Sequence, residues 1–261
     1  DRKEATQFFS QCLDAGVNYL DTAPGFAGYG IAQQALGDLL KTRRKEAFVV
    51  TKCFEPDGEK ALALLKKNLR ELQIDRADVV YAHSIGADKM DLKTVMGKNG
   101  VMKALEKARE DGLTRFIGIS GHNRPGKFLD VIREFKIDVM MNAVSFVSQH
   151  IYDFETKVWP EAHQRKIALV AMKVFGGMAG GSQNPKGGRL QKEDLFSAFR
   201  YAQSLPHLST AVLGMHDLQE LQQNIAWAKS FKPLSQTERE SLNKRGRELA
   251  KEWGAVYGPV V

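Results

Sequence analysis

An α/β fold of alternating strands and helices is predicted by three features of this chain. Seven short apolar, β-branched runs alternate with segments whose apolar residues recur at helical spacing. Each run stays apolar over roughly four to eight residues, which is typical of strands buried on both faces of a parallel sheet. No linker rich in Pro, Gly or Ser divides the 261 residues, since the Gly-rich segment 176–188 follows a predicted strand end and is interpreted as a loop. Seven strand–helix units in one undivided chain favour a (β/α)8 barrel, formed as a single domain by residues 1–261.

The predicted strands and helices alternate along the chain, and the two longest irregular segments, 86–100 and 176–188, both follow strand ends. The strands are predicted at 17–23, 47–53, 79–85, 115–121, 139–146, 168–175 and 210–215. Helices are predicted at 2–15, 31–41, 59–72, 101–111, 125–135, 155–166, 192–204, 218–229 and 236–253. An eight-stranded barrel needs one strand more, and the chain opens on a helix, so we expect the first strand to be absent from this chain.

Composition and charge narrow the class of protein. A hydrophobic fraction of 43% is ordinary for a globular core, and no apolar run approaches the roughly 18 residues of a membrane span. The net charge of +7 is spread among acidic residues, which indicates solvated helix faces rather than a nucleic-acid surface. Two cysteines are too few for a disulfide framework, and no ligand spacing indicates a metal site. We expect a cytoplasmic protein without nucleic-acid or membrane partners; the sequence gives no oligomeric state.

Four polar residues stand at or just beyond the ends of the first three predicted strands. Asp21, Lys52 and His83 each lie near the C-terminal end of a predicted strand, and Tyr29 lies in the loop that follows the first strand. Taken singly, they could be a helix cap, a solvated lysine, a core histidine and a loop anchor. Their shared position on successive strands favours a catalytic site. A phenol whose acidity is tuned by a cation and positioned by a carboxylate and an imidazole suits carbonyl reduction.

Short motifs at these strand ends resemble the aldo-keto reductase superfamily across nearly the whole chain. The motifs are GVNYLDTA at 16–23, VVTK at 49–52, YAHS at 81–84 and IGIS at 117–120. The resemblance implies hydride transfer from NAD(P)H to a small aldehyde or ketone, with Tyr29 as the proton donor. It also implies that Lys52 and Asp21 adjust and position the phenol, and that His83 orients the carbonyl group.

One departure from the family pattern concerns the proton donor. The tyrosine of the commonest pattern lies five residues after the aspartate, and this chain has Phe26 there. The spacing from Tyr29 to Gly37 matches the family's spacing from its tyrosine to a helix glycine. A short insertion in the loop would place Tyr29 correctly, and Tyr29 is therefore favoured over the alternative in which Phe26 fills the position and the donor is missing.

The resemblance also implies a cofactor site. Ser120 and Asn142 match contacts to the nicotinamide carboxamide, and Met172 stands where a side chain covers the nicotinamide ring. The remaining matches belong to a phosphate loop and to the adenine end of the cofactor; they are Lys173, Val174, Gly176, Gly214, Gln223 and Asn224. NADPH is expected first, because most members of the family use it. NADH is the alternative, because the resemblance implies a basic residue at Gly214 or Glu220 that would bind the 2′-phosphate, and neither residue is basic.

Two other functions stay open from the sequence. Phe26 and the altered cofactor contacts allow a nicotinamide-binding regulatory or sensor protein with little turnover. The stretch GISGH at 118–122 is similar to that of relatives that carry a C-terminal iron–sulfur segment, so the chain could also be the barrel part of a larger oxidoreductase.

Overall fold

A single sheet of seven strands runs through the computed structural model, which describes residues 1–177 and 188–261. The strands lie in the sheet in chain order, and each pair with a resolved register is parallel. They are β1 (Tyr19–Asp21), β2 (Phe48–Cys53), β3 (Ala77–His83), β4 (Thr114–Gly121), β5 (Val139–Ala143), β6 (Ala168–Met172) and β7 (Leu208–Ala211). The predicted class is confirmed: a (β/α)8 barrel fold whose first strand is missing from the described residues.

Helices follow the strands as predicted. They are α1 (Arg2–Asp14), α2 (Ala32–Arg43), α3 (Gly58–Leu72), α4 (Leu92–Val95), α5 (Val101–Glu110), α6 (Pro125–Glu134), α7 (Phe154–Lys157), α8 (Trp159–Gln164), α9 (Leu195–Gln203), α10 (Leu218–Lys229) and α11 (Gln236–Trp253). The single helix predicted at 155–166 is wrong, because two short helices occupy it. Pro160 lies in the first turn of α8, and since proline lacks an N–H the earlier helix cannot continue through it.

Several strands end earlier than predicted, which places their polar residues at the ends. Ser84 has φ 64° and Lys173 has φ 57°, so the backbone leaves the extended region directly after β3 and β6. The last strand also begins two residues earlier than predicted, at Leu208. His83 is consequently the last residue of β3, and Met172 is the last residue of β6.

Contacts divide the described chain into two compact units. The first contains Asp1–Ile119 and Met215–Gln222, and the second contains Ser120–Gly214 and Gln223–Val261. A leucine-rich cluster forms a core in the first unit, with Leu13 from α1, Leu20 from β1, Leu36 from α2 and Val49 from β2. The single domain therefore stays a prediction. No helix in the described ranges is both long enough and apolar enough to cross a bilayer.

A glycine allows α2 and α3 to approach each other closely. A Cβ added at Gly37 would overlap the backbone of Glu71 and lie 3.0 Å from the carbonyl carbon of Leu72. Only glycine fits this crossing without a shift of one helix. The close approach brings polar side chains of the two helices within hydrogen-bonding distance behind β2.

Candidate active site

Tyr29 lies in a tight turn between two glycines in left-handed conformations. Gly28 has φ 87° and Gly30 has φ 52°, a region that other residues rarely adopt. A Cβ added at Gly25 would lie 2.5 Å from the carbonyl oxygen of Gly30, so the loop closes tightly on itself. Helix α2 then begins at Ala32, whose N–H donates to the carbonyl oxygen of Tyr29 at 3.0 Å. The turn therefore fixes the position of Tyr29 relative to α2.

Asp21 and Lys52 come from the ends of neighbouring strands and form an ion pair. The register places Asp21 beside Val50, and Lys52 lies two residues further along on the same face of β2. Lys52 Nζ donates to Asp21 Oδ2 at 2.7 Å and to the carbonyl oxygen of Thr22 at 2.9 Å. Because Lys52 is only 1% exposed, these partners replace almost all of its hydration.

The Tyr29 hydroxyl joins this pair. Tyr29 Oη lies 3.2 Å from Lys52 Nζ, which donates to it, and donates to Asp21 Oδ2 at 3.3 Å. The ammonium also lies 4.8 Å from the centre of the Tyr29 ring. Three of the four predicted catalytic side chains thus meet around one phenol, with a cation and an anion in contact with it.

Electrostatics keep Lys52 charged and Tyr29 protonated at neutral pH. Burial raises the pKa of Tyr29, as does the Asp21 carboxylate, while the Lys52 ammonium opposes both effects. Burial by itself would lower the pKa of Lys52, but Asp21 and Tyr29 outweigh it, and the pKa lies above its ordinary value. The phenol therefore carries its proton at neutral pH, and the neighbouring cation would stabilise its conjugate base.

His83 lies at the end of β3 beside an aromatic wall. It is buried, and its ring packs edge to face on Phe54 with centroids 4.9 Å apart. Phe54 in turn packs on Phe26 at 5.5 Å. Phe26 is 65% exposed. Tyr29, rather than Phe26, is thus the aromatic residue that contacts Lys52, and Phe26 and Phe54 form an apolar surface beside His83.

Cys53, directly after Lys52, has the features of a wall residue rather than a nucleophile. It is fully buried, and its thiol donates to the carbonyl oxygen of Ala61 at 3.4 Å. Burial raises the pKa of the Cys53 thiol to about 12, so it carries almost no reactive thiolate at neutral pH. Within 1–177 and 188–261, no group of three His, Cys, Asp or Glu side chains is arranged to hold a metal ion.

The predicted cofactor residues all belong to the second unit. Ser120 at the end of β4, Met172 at the end of β6 and Val174 just beyond it are buried. Asn142 in β5 is also buried; its Oδ1 accepts from Trp159 Nε1 at 3.1 Å, and its Nδ2 has no partner among the described residues. A buried amide with an unused donor fits the carboxamide contact that a nicotinamide would make.

The glycines predicted for the phosphate loop lie just beyond β6. The N–H of Gly176 donates to the carbonyl oxygen of Lys173 at 2.8 Å, and the N–H of Gly177 donates to that of Gly188. Gly176 has φ 71°, and a Cβ there would lie 2.6 Å from the Trp253 ring. The positive φ and the packing against Trp253 both require a glycine at this position, and its contact with phosphate stays a prediction.

The residues predicted to contact the adenine end of the cofactor lie on either side of the start of α10. Gly214 lies in open space, with nothing within 4 Å of an added Cβ, and Gln223 is exposed while Asn224 is partly buried. Glu220 is tied to the loop before α10, since its carboxylate accepts the N–H of His216 at 2.7 Å. An acidic group at this position would disfavour a 2′-phosphate.

Sequence reasoning missed the residues that support the site from behind. Gln33, Thr51 and Asn68 are buried and hydrogen-bonded to one another or to the backbone of Lys52. Gln33 and Asn68 lie in amphipathic helices, whose polar residues normally face solvent, so no sequence pattern marked these two as buried. Trp159, the partner of Asn142, was equally unmarked.

Comparison with models of protein families shows which family this chain belongs to. The model described as the aldo/keto reductase family matches residues 1–195. The chain belongs to the aldo/keto reductase family. The resemblance inferred from the strand-end motifs is confirmed, and family membership supports an oxidoreductase of carbonyl compounds.

Individual relatives are distant. A Pseudomonas protein named D-threo-aldose 1-dehydrogenase is 26% identical over 220 residues, which are 72% of this chain and 65% of the relative. The chain therefore spans just under two thirds of that relative's length. An aldo-keto reductase from Bacillus halodurans in its holo form has a TM-score of 0.73 at 20% identity, covering 94% of this chain and 87% of its own.

A second solved structure of the family was determined with a cofactor. The aldo-keto reductase from Klebsiella pneumoniae in complex with NADP and acetate has a TM-score of 0.69 at 18% identity, covering 99% of this chain and 86% of its own. At such identities the likeness shows the fold. It adds no residue assignment to the site built above.

Proposed function

We propose that this protein reduces a small aldehyde or ketone to the alcohol, using a nicotinamide cofactor and Tyr29 as the proton donor. The observation that carries the proposal is the contact of one phenol oxygen with both Lys52 Nζ and Asp21 Oδ2, at 3.2 and 3.3 Å. A reduced nicotinamide, when bound, supplies the hydride that adds to the carbonyl carbon. Family membership supports the general activity, and the residue roles are proposals.

The chain's own residues would manage the proton. As negative charge develops on the carbonyl oxygen, the Tyr29 hydroxyl donates its proton to that oxygen. The phenolate left behind would be stabilised by the Lys52 ammonium, which Asp21 and the carbonyl oxygen of Thr22 hold in place. Water returns a proton to Tyr29 before the next turnover. His83 would orient the carbonyl group beside the Phe54 ring.

The cofactor would be held by the second unit. Asn142 Nδ2 and Ser120 are the proposed carboxamide contacts, Met172 and Val174 the apolar cover, and Lys173 the cation nearest the phosphates. Gly214, Gln223 and Asn224 are proposed for the adenine end. NADPH remains the first candidate, and the acidic Glu220 makes a comparison with NADH necessary.

The test compares the wild type with two variants, each of which replaces one tyrosine of the first compact unit by phenylalanine. NADPH and NADH oxidation is followed by absorbance with a panel of aldehydes and ketones, for wild type, Tyr29→Phe and Tyr19→Phe. Tyr19→Phe also removes a hydroxyl contact, the partly buried one of 3.0 Å to Tyr81 Oη, and therefore controls for general damage. We expect Tyr29→Phe to lose about 100-fold or more in kcat and Tyr19→Phe to stay within about threefold.

Other outcomes would change the assignment. Equal losses in the two variants would remove Tyr29 from the role of acid. Tight cofactor binding without turnover in the wild type would instead favour a cofactor-binding regulatory protein.

A further inference from the structure

A buried chain of polar side chains lies behind the strand that carries Lys52. Thr51 Oγ1 donates to Gln33 Oε1 at 2.8 Å, and Gln33 Nε2 donates to Asn68 Oδ1 at 3.2 Å. Asn68 Nδ2 then donates to the backbone carbonyl oxygen of Lys52 at 3.0 Å. Gln33, Thr51 and Asn68 are each at most 1% exposed. We call these three residues the rear network.

The donors and acceptors of the rear network leave one arrangement. Gln33 Nε2 also donates to Glu71 Oε2 at 2.8 Å, so its amide nitrogen serves two acceptors while its oxygen serves Thr51. Rotating the Gln33 amide by half a turn would set its oxygen against Glu71 Oε2 and Asn68 Oδ1, which are both acceptors. A buried network with one satisfied arrangement holds its members in fixed positions.

The rear network and the active-site face lie on opposite sides of β2. Successive side chains of a strand alternate between its faces, so Thr51 points away from the side chain of Lys52. Lys52 is thus held twice: its ammonium by Asp21 in front, and its carbonyl oxygen by Asn68 behind. Because both its side chain and its backbone are held by hydrogen bonds, Lys52 has little freedom to shift.

The same network also reaches the segment that carries Tyr29. Gln33 is the second residue of α2, and the N–H of Ala32 closes the preceding turn on the carbonyl oxygen of Tyr29 at 3.0 Å. One helical turn beyond Gln33, Gly37 permits the contact with the backbone of Leu72 in α3. The path therefore runs from Tyr29 through Gln33 and Asn68 to Lys52.

We propose that Gln33 and Asn68 are positioning residues that set the separation between the Tyr29 phenol and the Lys52 ammonium. The inference rests on the proposed function, because the separation matters only if Tyr29 donates the proton. The phenol and ammonium are 3.2 Å apart. A displacement of about 1 Å in such a pair can cost about 100-fold in rate, whereas substrate and cofactor contacts elsewhere are untouched.

The test uses shape-conserving variants with a matched control. Asn68→Leu and Gln33→Met remove the network amides, and Thr51→Val removes one hydroxyl. Thr114→Val is the control, because Thr114 is also a buried strand threonine of the first unit, whose hydroxyl donates to the carbonyl oxygen of Phe116 at 2.8 Å. For each variant, kcat, KM, cofactor Kd and the unfolding midpoint are measured.

Positioning predicts a loss in kcat that exceeds the loss of stability. We expect kcat to fall about 10- to 100-fold in Asn68→Leu and Gln33→Met, with KM and cofactor Kd within about twofold. Thr114→Val should keep kcat within about twofold at a similar unfolding midpoint. Since Gln33 and Asn68 act in one path, the double variant should be no slower than the worse single variant.

Three results would overturn the proposal: a kcat in Asn68→Leu no lower than in Thr114→Val, a rise in KM with unchanged kcat, or fully additive losses in the double variant. If Asn68→Leu and Gln33→Met fail to fold, Thr51→Val carries the test, with a loss of a few-fold expected.

A wild type without turnover would refute the proposed function but not the positioning. In that case, crystal structures of the wild type and of Asn68→Leu test the positioning role, because this variant removes the hydrogen bond to the carbonyl oxygen of Lys52. A separation between Tyr29 Oη and Lys52 Nζ that stays unchanged in the variant would overturn the positioning role, and a longer one would support it.

Discussion

The ammonium of Lys52 and the carboxylate of Asp21 form a 2.7 Å ion pair in which the cation is almost wholly removed from water. Removing one partner of such a pair leaves an uncompensated buried charge, which costs about 3 kcal/mol or more. The pair therefore couples the stability of the protein to its chemistry. The two contributions can be separated by experiment.

Lys52→Met should lower the free energy of unfolding by about 3 kcal/mol and abolish measurable turnover. Adding Asp21→Asn removes the stranded charge, so the double variant should regain most of the stability and none of the activity. Urea unfolding and cofactor oxidation measure the two properties. Recovery of turnover in the double variant would show that the charges are not needed for the reaction.

Asn142→Leu should weaken cofactor binding by about tenfold. This factor corresponds to the loss of one hydrogen bond worth about 1.4 kcal/mol. The reason is the buried Nδ2, which has no partner among the described residues. Trp159→Phe is the control, since it breaks the Asn142–Trp159 bond of 3.1 Å but keeps Nδ2. Isothermal titration with NADPH gives both affinities, and equal weakening in the two variants would argue against a direct contact.

Gly37→Ala and Gly126→Ala should change stability in opposite directions. A Cβ at Gly37 overlaps the backbone of α3, and the variant should lose about 2 kcal/mol or more. Gly126 lies in the first turn of α6 with nothing within 4 Å of an added Cβ, so alanine there should be neutral or gain up to about 1 kcal/mol. Chemical denaturation of both variants checks the contrast. A neutral Gly37→Ala would mean that α2 and α3 can separate without cost.

A buried acid in the second unit should make stability depend on pH. Burial raises the pKa of Glu155 from 4.5 to about 8, and the charge of Asp153 adds to the effect. The hydrogen bonds agree: Tyr201 Oη lies 2.8 Å from Gln149 Oε1 and 3.2 Å from Glu155 Oε1. One hydroxyl proton cannot serve both oxygens, and a protonated Glu155 would donate to Tyr201 instead.

The sign of this dependence follows from proton binding. From about pH 5 to 8 the unfolded chain releases the Glu155 proton while the folded chain keeps it, so stability falls as pH rises across that window. Between about pH 6 and 9 the loss should be about 2 kcal/mol. Glu155→Gln should remove most of this slope in urea unfolding. An unchanged slope would place the titration elsewhere.

The alternation of strands and helices and the contact between Asp21 and Lys52 were predictable because they follow strong local patterns. Tyr19–Asp21 and Phe48–Cys53 are apolar runs whose polar ends share one edge of a parallel sheet, which is why Asp21 and Lys52 meet. The spacing from Tyr29 to Gly37 favoured Tyr29 over Phe26 from the sequence. The turn that brings the Tyr29 hydroxyl to Lys52 and Asp21 was visible only in the fold.

Other features depend on tertiary contacts that no local pattern records. Gln33 and Asn68 resemble ordinary polar helix residues, and only the close approach at Gly37 buries them together. The packing of the Trp253 ring against Gly176 is another contact that the sequence did not predict, and the predicted phosphate contact of Gly176 stays a prediction. The break between α7 and α8 did have a local signal in Pro160.

The two thiols of the chain, Cys12 and Cys53, are both buried, and burial raises their pKa to about 11 and about 12. Alkylating reagents react with thiolates, so the native protein should be nearly inert to maleimides at neutral pH. A cysteine introduced on the surface, for example at Phe26 with its 65% exposure, would then be labelled selectively. A fluorophore placed there could report ligand arrival beside Phe54 without removal of either natural cysteine.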